Sequence, residues 1–152
     1  MSELPQRQRL YHFLPEWVEK DAVYLITVCC AKRGATELTQ LGRFEVMGQA
    51  IQHYSAVGKW RVKLFLVMPD HWHALIQFSP PEDMEKVLKD WKRYVVKRTG
   101  IDWQDGFFEH RLRTRQSAEE KWHYIWQNPV RNGLANEADK WPFVWPADRT
   151  AR

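Results

Sequence analysis

The sequence predicts an α+β fold: a ferredoxin-like antiparallel sheet in βαββαβ order, with helices packed on it and an extra C-terminal helix. Three observations predict it. Apolar runs with strand character alternate with segments whose apolar residues recur every three or four positions. Turn-forming residues punctuate them, at Gly34, Gly58, Pro69, Gly100 and Gly133. The resulting order is strand, helix, strand, strand, helix, strand, which is the split βαβ arrangement.

The first strand is 23–30, almost entirely β-branched, aromatic or apolar, and it is closed by Lys32, Arg33 and Gly34. Between 38 and 57, Leu41, Phe44, Met47, Ala50, Ile51 and Tyr54 recur at helical spacing, and Gly58 stops that helix. Residues 60–68 are strand-like again. Proline cannot donate to a sheet ladder, so Met68-Pro69-Asp70 reads as a turn or a bulge before the apolar strand 72–78. Pro80 and Pro81 open a helix over 82–98, which ends at Gly100. Its apolar stripe is Met84, Val87, Leu88, Trp91 and Val95, and its other face carries Lys86, Lys89, Lys92, Arg93, Lys97 and Arg98. A strand follows over 107–114. Ser117 and Glu120 offer a capping box for a helix over 118–132, which Gly133 stops and Pro129 bends or breaks. Trp141-Pro142 and Trp145-Pro146 make the tail an irregular segment laid on the surface.

At 152 residues the chain is expected to form one domain, comprising an N-terminal arm (1–20), a core (21–135) and the tail (136–152). With 44% hydrophobic residues and nine Trp, this is not the composition of a disordered chain. Lys and Arg exceed Asp and Glu by 23 to 19, a net charge of +4 that favours polyanionic partners without identifying one. Adjacent strand residues point to opposite faces, so Cys29 and Cys30 can build neither a disulfide framework nor a zinc site and are expected to be buried thiols. No stretch approaches the ~18 apolar residues of a membrane span, and the N-terminus has no apolar signal region. A cytoplasmic protein is expected.

Two clusters carry possible chemistry. His71 and His73 are two apart on a strand, so both imidazoles project from one face, half of a metal site or a pair of hydrogen-bonded surface histidines. Tyr124 and Asn128 are four apart on a helix and share a face, so an Asn128 oxygen could complete a ligand set beside the Tyr124 phenol. Taken alone, Tyr124 also suits a core.

The blocks Met68-Pro69-Asp70-His71-Trp72-His73, Phe107-Phe108-Glu109-His110-Arg111 and Tyr124-Ile125-Trp126-Gln127-Asn128-Pro129-Val130 resemble those of the REP-associated tyrosine transposases, single-tyrosine enzymes of the HUH nuclease class. The resemblance spans roughly 20–146. It implies an endonuclease and strand transferase that cuts single-stranded DNA at palindromic hairpin sites through a 5′-phosphotyrosine. By the same resemblance Tyr124 is the nucleophile, on the extra C-terminal helix. His71, His73 and Asn128 become the ligands of Mg2+ or Mn2+, with Gln127 as an alternative to Asn128. Asp70 departs from the family's more common Asn or Glu. A monomer associated with the nucleoid is implied, with no membrane partner.

DNA contacts are expected from Arg113, Arg111 and His110, from Lys89, Lys92, Arg93 and Lys97, and from Arg7 and Arg9 of the arm. Two other readings remain: a hairpin-binding module without turnover, and a zinc hydrolase built on the two histidines.

Overall fold

The computed structural model describes residues 22–79 and 83–146. The elements run β1 (Val23–Cys29), α1 (Leu41–Ala56), β2 (Trp60–Val67), β3 (His71–Phe78), α2 (Met84–Thr99), β4 (Phe108–Leu112), α3 (Arg115–Trp126), α4 (Asn128–Arg131) and β5 (Val144–Trp145). The strands form one sheet in the order β4-β1-β3-β2-β5, and every neighbouring pair is antiparallel. This is the expected βαββαβ fold, with one edge strand added.

Strand alternation builds two cores. Tyr24, Ile26, Val28, Phe65, Trp72, Ala74 and Ile76 face α1 and α2, where they bury Met47, Ile51, Leu88, Trp91 and Val95. The aromatic rings interlock edge to face, Trp72 against Phe65 at 5.0 Å and against Trp91 at 5.2 Å. Val23, Leu64, Leu66, Leu75 and Leu112 face the other way and are covered by Trp122 and Ile125 of α3 and by Trp141 and Val144 of the tail. α1 and α2 therefore share one face, and the extra helix α3 lies across the sheet from them. Of the nine tryptophans, Trp60, Trp72, Trp91, Trp122 and Trp141 are buried in these cores, so most of the indole surface serves packing.

Several local expectations change. β2 and β3 form a tight hairpin whose turn is closed by the Met68 N–H donating to the His71 carbonyl, and β2 also carries an irregularity between Val62 and Leu64. α2 is capped by Asp83, whose carboxylate accepts from the Glu85 N–H, and it begins after the prolines. α3 begins one turn earlier than the Ser117 box implies. Thr114 is its cap, and Ser117 supplies the N–H that Thr114 Oγ1 accepts at 3.0 Å. At Pro129 the helix breaks as expected, and α4 starts afresh there. The tail is less irregular than its prolines imply, because β5 pairs with β2 and the Trp141 indole N–H donates to the Val67 carbonyl at 2.9 Å. Both cysteines are free and buried, and burial pushes the Cys30 thiol up to about 12. No helix among the described residues is long and apolar enough to cross a membrane.

Candidate active site

His71 and His73 stand on the α3 side of the sheet because their cross-strand partners Cys29 and Thr27 lie on that face, alternating with Trp72 on the other. The two rings are 4.8 Å apart between centroids, and a neighbour engages each Nδ1. Thr27 Oγ1 lies 2.8 Å from His73 Nδ1, and Asp70 Oδ1 lies 2.7 Å from His71 Nδ1. That leaves the Nε2 atoms as the free ring nitrogens of both imidazoles, the arrangement that orients histidines for a cation. Burial first, and then the positive charges of His71 and Arg131, lower the His73 pKa to about 3, so its ring is a neutral donor at physiological pH.

Asp70 occupies the tip of the β2–β3 turn. Its second oxygen accepts from the Gly34 N–H at 2.8 Å and from Arg33 Nε at 3.2 Å. Gly34 reaches it with φ at +84°, a conformation that suits glycine. Burial opposes ionisation of Asp70, but the hydrogen bonds from Gly34, His71 and Arg33 together outweigh it and hold the carboxyl at about 2. A carboxylate therefore fixes the His71 ring.

Tyr124 is 55% exposed, unlike the core aromatic its flanking sequence also allowed. Asn128, 8% exposed, is the buried polar residue of the described chain. Its Oδ1 accepts from Asn132 Nδ2 at 2.8 Å and, more weakly, from Arg131 Nη2 at 3.4 Å. Gln127 is exposed at the junction of α3 and α4. Among the described residues no group of three or more His, Cys, Asp and Glu side chains is placed to hold a metal ion.

The expected DNA contacts divide between the two layers. In β4, His110 pairs with Leu25 and shares the histidine face, whereas Arg111 pairs with Tyr24 on the α1–α2 side, where its Nε is buried. Arg113 is exposed just after the strand. Lys89, Lys92, Arg93 and Lys97 belong to α2, across the sheet from the histidines. Lys92 differs from its neighbours: its ammonium is half-buried and donates to the Gln104 and Gly106 carbonyls at 2.9 Å, which clamps the loop before β4. Arg93 pairs with Asp90 at 3.5 Å, while Lys89 and Lys97 are exposed. Arg7 and Arg9 lie outside the described residues.

Three residues that sequence reasoning gave no role complete the site: Thr27, Asp70 and Arg131. Thr27 is the one aliphatic hydroxyl in an otherwise apolar and aromatic strand, which was a signal. Arg131 sits inside the tyrosine block, but only the fold turns it back onto Tyr124.

No family model matches the chain. It is 25% identical over 129 residues to the REP-associated tyrosine transposase of Escherichia coli (strain K12), covering 82% of this chain and 76% of that protein. A second curated protein, from Haemophilus influenzae and named for the same group, is 24% identical over 144 residues, 82% of this chain and 79% of that one. The solved structure of a REP-associated tyrosine transposase bound to a REP hairpin has the same fold at a TM-score of 0.76, with 24% identity over 86% of this chain and 80% of that one. Over 82% of its length in sequence, and in its fold, this chain is similar to the REP-associated tyrosine transposases.

Proposed function

We propose that this protein is a transposase-type enzyme that nicks and rejoins DNA at hairpin-bearing sites, with Tyr124 as the nucleophile. One observation carries the reading. Two imidazoles with engaged Nδ1 atoms stand on the sheet face covered by α3, the helix that presents Tyr124 to solvent. The similarity to transposases, one of them bound to a REP hairpin, supports hairpin DNA as the substrate.

The donor chemistry fits a divalent cation. His71 and His73 offer ring nitrogens whose Nδ1 partners are already engaged, and the Asn128 amide oxygen, whose Arg131 contact is long, is the third candidate, with Gln127 as the exposed alternative. Bound there, Mg2+ or Mn2+ supplies Lewis acidity to a phosphate oxygen. The protein's own part is to hold its ligands and to aim the phenol. Tyr124 Oη forms a bond to phosphorus, the bond from phosphorus to O3′ breaks, and the phenolic proton ends on the departing 3′-oxygen. A 5′-phosphotyrosine and a free 3′-hydroxyl result, and the same exchange in reverse joins a new 3′-end without an external energy source. An exposed phenol suits this role, since the oxygen must meet a backbone phosphate in line.

The test is intact mass after incubation with a pool of hairpin-bearing single-stranded oligonucleotides and manganese. A DNA-sized increment is expected in the parent protein and none in Tyr124→Phe or in the metal-stripped protein. Tight hairpin binding without any adduct would instead make this a binding module. An adduct that survives Tyr124→Phe would remove the nucleophile assignment.

A further inference from the structure

Arg131 touches the candidate site at two residues. Its Nη2 donates to the Tyr124 main-chain carbonyl at 2.7 Å and to Asn128 Oδ1 at 3.4 Å. Its guanidinium carbon lies 3.8 Å from the centroid of the Tyr124 ring. One cation thus meets the proposed nucleophile and the candidate amide ligand.

Every acceptor it has is neutral. No carboxylate pairs with Arg131 among the described residues, and the acid one turn before Tyr124, Glu120, is hydrogen-bonded to Gln116. Lys121 adds a second positive charge 5.4 Å from the same ring. The contacts to Tyr124 and Asn128 use Nη2 alone, so Nε and Nη1 each keep N–H donors that the oxygens of an anion can accept. An exposed guanidinium anchored by dipoles, with its charge uncompensated, is an anion site whose walls already include the attacking phenol.

We propose that Arg131 binds the phosphate that Tyr124 attacks, receiving its non-bridging oxygens while the stacked ring is held beneath the guanidinium. The inference rests on the function proposed above. The competing role is structural: a cation at the end of α3 that neutralises the last carbonyls of the helix, Tyr124 among them.

The two roles separate in a double comparison. The phosphate at which the parent protein forms its adduct is first mapped. The same hairpin oligonucleotide is then made with either a phosphodiester or a neutral methylphosphonate at that position. Affinity is measured with manganese at fixed salt in Tyr124→Phe protein, with and without Arg131→Ala. Neutralising the phosphate is expected to weaken binding about tenfold more when Arg131 is present than when it is absent, the remaining loss being that of the cation's own contact. Arg131→Gln keeps a donor for the Tyr124 carbonyl but loses the charge; it is expected to behave like Arg131→Ala, and it replaces that variant if the alanine protein unfolds. Equal losses from the methylphosphonate with and without Arg131 overturn the proposal and leave a helix cap. A parent protein that forms no adduct at any phosphate overturns the underlying reading, and the inference with it, an outcome distinct from equal losses in an active enzyme.

Discussion

His73 shows how a single residue's surroundings set its chemistry. Its pKa is lowered from 6.5 to about 3, so between those values the unfolded chain binds a proton that the folded protein refuses. Stability is therefore complete above pH 6.5 and falls as the pH drops toward 3. Asp70 has the depressed carboxylate pattern, stabilising above its ordinary 3.8 and losing that contribution only as the pH falls toward 2. The two windows barely overlap. Urea unfolding at pH 7 and pH 5 is thus expected to show a loss of stability that shrinks in His73→Gln while Asp70 contributes equally at both. An identical loss in the variant would mean that His73 protonates freely in the fold.

At the scale of elements, the decisive one is the α3–α4 pair. Thr114 starts it, Pro129 breaks it, and the break allows Arg131 to turn back onto Tyr124 seven residues earlier. Thr114→Ala removes the oxygen that accepts the Ser117 N–H and is expected to cost about 1 kcal/mol in chemical denaturation. The Tyr124 adduct, formed at the other end of the helix, should keep its yield. Unchanged stability would show that the Ser117–Glu120 box carries the helix start after all. The proline break was legible in advance because a missing N–H has one meaning inside a helical pattern. The cap was not, because Thr114 and Ser117 are both good caps, and packing of Trp122 and Ile125 against the sheet chooses between the helix starts.

Across the whole molecule, the sheet separates two positive regions. Arg131 and Lys121 flank Tyr124 on the layer that covers the histidine face, whereas Lys89 and Lys97 belong to α2 on the other layer. A hairpin that touches both must wrap an edge of the sheet. Reversing Lys89 and Lys97 to Glu is expected to weaken hairpin binding and to lower the slope of log affinity against log salt by about two. A slope unchanged by this double reversal would confine the DNA to the histidine face.

The sequence by itself determined the order of elements from β1 to α3, the apolar stripes of α1 and α2 and the spacing of His71 with His73 and of Tyr124 with Asn128, because periodicity and turn chemistry are local properties. It also carried the resemblance to transposases. Only the tertiary structure decided which layer each helix covers, which β4 side chains share a face with the histidines, and that Thr27, Asp70 and Arg131 complete the site. Those relations join residues far apart in the chain: Thr27 with His73 through strand register, Asp70 with Gly34 through a turn, Arg131 with Tyr124 through a broken helix. Register and packing against the opposite layer are set by the whole core at once, and no window of sequence contains them.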